Sequence, residues 1–131
     1  LTDRGRTFDA DRYYKTAHYS FDEGYEAMAE LLRDAPETTA VFAMADVMAI
    51  GAARAIRDAR KRIPEDISLI GFDGLPICRY YEPRLSTVTQ QISFMAEKSY
   101  AVLLDMIENG TIAQHVLAPH TLEKTDSIRK F

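Results

Sequence analysis

Short apolar runs alternate along this chain with longer amphipathic segments, and this alternation most strongly limits the folds available to it. Residues 39–44 and 67–72 are largely apolar runs of strand length, which is typical of strands buried on both faces of a parallel sheet. Helical periodicity covers residues 20–34, 47–60 and 92–108. Because parallel strands need crossover connections, we expect an α/β fold in which a parallel sheet is flanked by helices.

Local signals define the ends of these segments. Ser20 and Glu23 have the spacing of a capping box and predict a helix that continues to about Asp34. Asp46 is expected to be the N-cap of helix 47–60, and Gly110 is expected to end helix 92–108. Further strands are predicted at 12–19, at 86–89 and around 114–123, the last one broken by Pro119.

Composition excludes several classes of protein. The 131 residues favour a single domain, and one cysteine cannot form an internal disulfide. The net charge of −4 argues against nucleic-acid binding by this chain alone, and no apolar run approaches the ~18 residues of a membrane helix. The chain begins at Leu1 without Met or a signal peptide, so we expect it to be a piece of a longer protein.

Candidate binding residues follow the predicted strands. Ligands of open parallel sheets bind beyond the carboxyl ends of the strands, and this rule selects Tyr19, Ala45, Asp46, Asp73 and Gln90. An aromatic face beside carboxylates and an amide is suited to a polyol or a heterocycle. Each residue also has a purely structural interpretation: Asp46 as a helix cap, Asp73 as a turn residue, Tyr19 as an aromatic at a sheet edge.

Catalytic and metal chemistry have little support in the sequence. His18, His115 and His120 lack the spacing of metal ligands, and there is no glycine-rich phosphate loop or nucleophile elbow. Cys78 has no histidine near it in the sequence, so we expect it to serve packing or an interface. The chain is therefore expected to be no enzyme and to need no metal or cofactor.

Four segments together resemble one family. Residues 19–25, 39–52, 62–73 and 83–90, which include Ala43-Met44-Ala45-Asp46 and Ile70-Gly71-Phe72-Asp73, resemble the LacI/GalR family of bacterial transcription regulators. In that family a helix-turn-helix head binds operator DNA, and a two-lobed sensor built like periplasmic sugar-binding proteins binds a small effector between its lobes. The resemblance implies a cytoplasmic repressor and the C-terminal part of its sensor.

The resemblance also implies a division of the chain. Residues 1–90 would form most of the C-terminal lobe of a periplasmic-binding-protein-like type I fold. Residues 91–112 would be a helix that belongs to the N-terminal lobe in intact relatives, and residues 113–131 a returning strand and tail. The DNA-binding head and most of the N-terminal lobe would lie outside this chain, so operator DNA would be bound only through that head.

Effector contacts are implied residue by residue. By resemblance Tyr19 stacks on the effector ring, and Asp73 accepts a hydrogen bond from a sugar hydroxyl or a purine group. Gln90 lies where the chain crosses between the lobes, and Ile92 and Met95 match positions near the effector on the other lobe.

One position departs from the pattern of the sugar-sensing relatives. Ala45 stands where those relatives often have Asn, which removes an amide partner and argues against a lactose-like binding mode.

A homodimer is implied as well. Family dimers pair through the second helix and the loop after the third strand, an arrangement that is symmetric in most homodimers. In this chain these elements supply Ile50, Arg54, Ile77, Cys78, Tyr80 and Tyr81. Helix 47–60 has one apolar stripe of Met48, Ala52, Ala55 and Ala59 and a second of Ile50, Ala53 and Arg57, and the dimer surface would explain the second. Tyrosine and arginine are also frequent at interfaces.

Two other classes of protein share features of this sequence with a repressor sensor. A periplasmic sugar-binding protein of an uptake system would share the fold and would have a signal peptide upstream in place of a helix-turn-helix. A receiver-type signalling domain shares the length and the α/β alternation, but it needs an acid pair after the first strand, where this chain has His18-Tyr19. The sequence favours the sensor, with a sugar-like or purine-like effector and no membrane partner.

Overall fold

The computed structural model describes residues 9–112 and 115–130. Within these ranges, five helical segments and four strands follow one another. Their bounds are α1 Ala10–Tyr13, α2 Phe21–Asp34, β1 Ala40–Phe42, α3 Asp46–Asp58, β2 Ser68–Asp73, a 3₁₀ helix Pro76–Arg79, β3 Ser86–Gln90, α4 Ile92–Asn109 and β4 His120–Glu123.

The sheet is mixed and mostly parallel, which confirms the predicted fold class. Its strand order is β1-β2-β3-β4. The first three strands run parallel, with Val41 opposite Leu69 and Gly71 opposite Thr87, whereas β4 runs antiparallel to β3. The carboxyl ends of β1, β2 and β3 therefore lie at one edge of the sheet.

The hydrophobic core lies between the sheet and the pair formed by α2 and α3. Met28 of α2, Ile56 of α3 and Leu69 of β2 are almost fully buried in it. The two helices approach closely at Gly51, where an added Cβ would lie only 1.9 Å from the backbone oxygen of Phe21. A helix that must pack on both α2 and the sheet needs small residues on two faces, and this explains why α3 is rich in alanine and glycine.

The predicted strand at 12–19 is wrong. The segment begins in the short helix α1, continues without regular structure and is attached to the end of α2 by side chains. Arg12 Nε donates to the Asp34 carbonyl at 3.2 Å, and Lys15 Nζ donates to the Asp34 carboxylate at 2.5 Å. These side-chain bonds hold the segment against the end of α2, and no strand pairing of residues 12–19 occurs in the part of the chain that the structure describes.

The caps of α2 and α3 differ in part from the prediction. Ser20 Oγ accepts from the Glu23 N–H at 3.1 Å, which confirms that Ser20 caps α2, but the Glu23 carboxylate accepts from the His18 N–H at 2.7 Å. The prediction that Asp46 caps α3 is wrong, because Ala45 is the N-cap and Asp46 is the first helical residue.

The C-terminal part consists of α4 and the return through β4. Gly110, with φ 65°, ends α4 as predicted. Within the described residues α4 has no buried side chain. The final strand is shorter than predicted, since it covers only His120–Glu123, and position 114 of the predicted strand lies outside the described residues. In the described ranges no helix is long and apolar enough to cross a membrane.

Candidate functional site

Asp73 and Gln90 are brought together at the edge of the sheet where β2 and β3 end. Asp73 lies opposite Thr89 in the parallel ladder, so Gln90 follows directly beside it. The Gln90 Nε2 donates to Asp73 Oδ1 at 2.7 Å, and both side chains are partly exposed. The structure therefore pairs two of the residues that the strand-end rule selects.

The backbone turns sharply at Asp73. Its φ of 118° lies in a region that side-chain-bearing residues rarely adopt, and Gly74 follows with φ 79°. The Gly74 N–H donates to Thr87 Oγ1 at 3.2 Å, so a neighbouring strand holds the turn. This turn carries Asp73 at the edge of the sheet.

Asp46 lies beneath this turn and not on the surface. Its relative exposure is 0%, and its carboxylate accepts from Thr87 Oγ1 at 2.6 Å and from the Leu75 N–H at 2.7 Å. Ala45 is 2% exposed. Neither residue offers side-chain surface to a ligand here, and the hydrogen bonds of Asp46 belong to the protein interior.

Tyr19 extends from the segment before α2 and is 73% exposed. His18, the residue before Tyr19, is held through two of its atoms, because its backbone N and ring Nδ1 both lie within 2.8 Å of the Glu23 carboxylate. These contacts hold the Glu23 carboxylate in its charged form and lower its pKa below the usual range. The ring of Tyr19 is thus free to stack on a ligand while the backbone next to it is fixed.

Further apolar surface follows β1. Phe42 is exposed and meets Phe72 of β2 edge to face, with ring centroids 6.4 Å apart, and Met44 is exposed two residues after Phe42. Neither Phe42 nor Met44 was among the predicted site residues, although both lie at the carboxyl end of a predicted strand. Ile92 and Met95, in the first turn of α4 after Gln90, are exposed as well.

The predicted dimer residues occupy different environments. Tyr80 is 87% exposed and Ile77 is exposed, whereas Cys78 is 3% exposed and is the buried residue of the 3₁₀ helix. Burial and a hydrogen bond to Asp46 raise the pKa of Cys78 to about 12, so its thiol stays protonated. Cys78 therefore serves packing, the first of the two roles expected for it, and offers little surface to a partner.

The second apolar stripe on α3 has a partner inside the chain. Both faces of α3 are covered, one by α2 and the other by β2. On the exposed side, Arg54 pairs with Asp58 at 3.0 Å, and Arg57 lies over the ring of Tyr81 at 5.1 Å and donates to its hydroxyl. The stripe is thus explained without a dimer.

The arrangement fits binding better than catalysis. Acceptor oxygens, one amide and exposed aromatic rings can hold a ligand through hydrogen bonds and stacking. Across the residues that the structure describes, no group of three or more His, Cys, Asp or Glu side chains could hold a metal ion.

Comparison with known proteins gives a consistent result. Residues 3–128 match the family model described as periplasmic binding protein-like domain. The chain is 36% identical over 117 residues to the HTH-type transcriptional regulator MalR of Clostridium butyricum, an alignment covering 89% of this chain and 35% of that protein. It is 36% identical over 93 residues to the regulator CelR of Thermobifida fusca, covering 71% of this chain and 27% of that protein.

Solved structures agree in fold. The transcriptional regulator CelR in complex with cellobiose superimposes with a TM-score of 0.89 at 30% identity, over 97% of this chain and 39% of that chain. A LacI-family regulator from Enterococcus faecium with bound ribose superimposes with a TM-score of 0.72 at 37% identity, over 86% of this chain and 41% of that chain.

The chain spans about a quarter to a third of the length of these curated relatives, whose names describe transcription regulators and not enzymes. The family match covers nearly the whole chain, and the sheet topology and the superpositions agree with it. The chain therefore belongs to the periplasmic binding protein-like domain family, and its homologues are LacI-family transcription regulators.

Proposed function

We propose that this chain is the effector-sensing and dimerisation part of a bacterial DNA-binding repressor of the LacI family. The observation that carries the proposal is the Asp73–Gln90 pair, joined at 2.7 Å where two parallel strands end, in a chain whose homologues are such regulators. Ligands of open parallel sheets bind at this position. The effector would be a small molecule with hydroxyl or N–H donors.

The ligand chemistry follows from the side chains at this edge. A carboxylate has about four lone-pair sites, so Asp73 can accept from ligand donors while it accepts from Gln90. The exposed ring of Tyr19 supplies a flat apolar face for a sugar or a purine ring. A sugar-like effector is favoured by the solved relatives with cellobiose and ribose, and a purine is the second class.

Residues 1–90 would form most of the C-terminal lobe and 91–112 a helix of the N-terminal lobe, with 113–131 returning to the C-terminal lobe. The exposed apolar side chains of α4 support this division, since a second lobe would cover them. Tyr19, Asp73 and Gln90 would then face Ile92 and Met95 across the effector. Ala45 and Asp46 are not part of this proposed contact set, because both are buried.

Regulation would follow from a shift between two arrangements of the lobes. An effector that binds one arrangement better moves the population toward it and changes the relative position of the DNA-binding heads. Operator DNA would be bound in the cytoplasm, through a head outside these residues. We expect the 131-residue chain by itself not to retard operator DNA in a gel-shift assay, and specific retardation would contradict this division.

Homodimerisation would use the exposed surface that includes Ile77 and Tyr80 on the 3₁₀ helix and the loop after it. Arg54 and the half-buried Ile50 and Tyr81 would flank it. Because the contact is expected to be symmetric, each protomer would offer the same residues to its partner.

The alternative is a periplasmic sugar-binding protein of an uptake system. The relatives named here are transcription regulators, which favours the repressor sensor. The upstream reading frame separates the two: a helix-turn-helix supports the regulator, and a signal peptide supports the uptake protein.

The site itself is tested by ligand-induced thermal stabilisation of the intact protein with cellobiose, ribose and hypoxanthine. A ligand that binds only the folded state stabilises it by about 2.7 kcal/mol at a concentration of 100 times its Kd. We expect Asp73→Ala to abolish this stabilisation and Glu26→Ala, an exposed change on α2, to retain it. Unchanged stabilisation of Asp73→Ala would show that Asp73 is only structural.

A further inference from the structure

We propose that the buried Asp46 is a positioning residue, which acts through Thr87 on the turn at Asp73 and thereby aims the Asp73 carboxylate at the effector. The inference rests on the proposed function, since it concerns how the same site is held in shape. It assigns to Asp46 a role that is neither helix capping nor ligand contact.

The hydrogen bonds of Asp46 join three parts of the molecule. The residue begins α3, and its carboxylate accepts from Thr87 of β3 at 2.6 Å and from the N–H of Leu75, in the loop after β2, at 2.7 Å. A fully buried carboxylate without partners would be costly, and here each oxygen has a donor. Hydrogen bonds to a charged group are among the stronger ones in proteins.

Thr87 transmits the constraint to the turn. Its hydroxyl donates to Asp46 Oδ1 and also accepts from the Gly74 N–H at 3.2 Å. The sheet leaves room for this arrangement because position 71 is glycine. An added Cβ on Gly71 would lie 2.3 Å from Asp46 Oδ1.

The network holds the two backbone N–H groups that directly follow Asp73. Gly74 is held by Thr87 and Leu75 by Asp46 itself. Asp73 has φ 118°, a strained conformation that persists only where the surroundings enforce it. The same conformation places the Asp73 carboxylate 2.7 Å from Gln90 Nε2. The buried network is therefore the part of the structure that enforces the geometry of the ligand-binding carboxylate.

The test is made on the intact protein without any ligand. The side-chain amide of Gln90 reports the position of Asp73, and its NMR signal can be followed after selective ¹⁵N labelling of glutamine, with Gln90→Met to assign it. We expect Thr87→Val, which removes the linking hydroxyl, to move this signal to the position found in Asp73→Ala. Thr87→Ser keeps a hydroxyl and should restore the wild-type position.

Ser127→Ala is the matched control for loss of a buried hydroxyl. Ser127 Oγ accepts from the Ser86 N–H at 2.8 Å and donates to the Leu69 carbonyl at 2.6 Å. Its partner Leu69 lies near the opposite end of β2, four residues before Asp73. Four residues of extended strand span roughly 13 Å. Replacement of Ser127 should lower stability and leave the Gln90 signal unchanged.

The proposal is overturned if Thr87→Val leaves the Gln90 signal at its wild-type position, or if Ser127→Ala moves it equally. If Thr87→Val does not fold, Asp46→Ala decides by the same criterion, because it removes both oxygens that accept from Thr87 and from the Leu75 N–H. If cellobiose, ribose or hypoxanthine binds, Thr87→Val should weaken that binding by about tenfold or more. If none binds, the proposed ligand classes fail, while the Gln90 signal still decides the role of Asp46.

Discussion

At the scale of single residues, Asp46 and Asp73 show how the surroundings of a carboxylate decide its use. Asp46 is fully buried and both of its oxygens accept from the protein, whereas Asp73 is partly exposed and can still accept from a ligand. Asp73 follows a recognisable strand, so its position at the edge of the sheet could be predicted. The role of Asp46 could not, because its partners Leu75 and Thr87 lie 29 and 41 residues away in the sequence.

A third aspartate, Asp66, makes stability depend on pH. Arg62 donates to the Asp66 carboxylate from its side chain and its backbone, and these bonds lower the pKa of Asp66 from 3.8 to about 2. A lowered pKa stabilises the folded state above the unfolded value, and this stabilisation is lost as the pH falls through the folded value. The pair should therefore lose its contribution between about pH 4 and pH 2.

We expect Asp66→Asn to reduce the pH dependence of the free energy of unfolding in this acid range and to leave the slope above pH 5 unchanged. Chemical denaturation at several pH values measures this. Glu65→Gln, which removes a neighbouring charge outside this ion pair, should keep the wild-type slope. An unchanged acid slope in Asp66→Asn would show that the ion pair contributes nothing to the pH dependence of stability.

At the scale of helices and strands, the close contact between α2 and α3 depends on Gly51. The position faces the Phe21 carbonyl so closely that no side chain fits without moving a helix. In an exposed helix, replacing glycine by alanine normally raises stability. At position 51 the same replacement should instead lower stability, because the added methyl group meets backbone atoms that cannot rotate away.

Gly51→Ala should therefore lower the free energy of unfolding by about 1–3 kcal/mol or more, as overpacking does in other cores. Denaturant titration measures it. Ala29→Ser, on the exposed face of α2, should change stability by only about 0.5 kcal/mol. A stabilised Gly51→Ala would contradict the observed approach of the two helices.

The elements that the sequence predicted correctly are those with long periodic or apolar patterns. The helices α2, α3 and α4 and the strands β1, β2 and β3 lie within about two residues of their predicted bounds. The segment 12–19 was misassigned because its tyrosines favour a strand. The ion pairs of Arg12 with Glu37, after α2, and of Lys15 with Asp34, at the end of α2, are not visible in sequence. Long-range contacts override local preference in this segment.

At the scale of the whole molecule, two regions of exposed apolar surface lie on elements that the proposed assembly would cover. The first lies on α4, where Tyr100, Leu103 and Ile107 are all exposed, and the second includes Ile77 and Tyr80 around the 3₁₀ helix. Large exposed apolar patches usually mark contact surfaces. The proposed second lobe would cover the first region, and the proposed partner subunit the second.

The proposed dimer surface can be tested by introducing one negative charge into it. We expect Tyr80→Glu in the intact protein to weaken dimerisation by about tenfold or more, because a buried tyrosine at an interface often contributes about 2 kcal/mol. Sedimentation equilibrium measures the dissociation constant. Tyr14→Glu changes another exposed tyrosine and should leave the dimer intact. A dimer unaffected by Tyr80→Glu would place the interface elsewhere.

The central claim, that these residues sense an effector for a DNA-binding protein, is tested most directly by operator affinity of the intact protein with and without its effector. We expect the effector to change the operator affinity of the wild-type protein. Asp73→Ala should bind operator as the wild type does without effector and should not respond when effector is added. An unaltered response in Asp73→Ala, or an intact protein without affinity for DNA, would contradict the account.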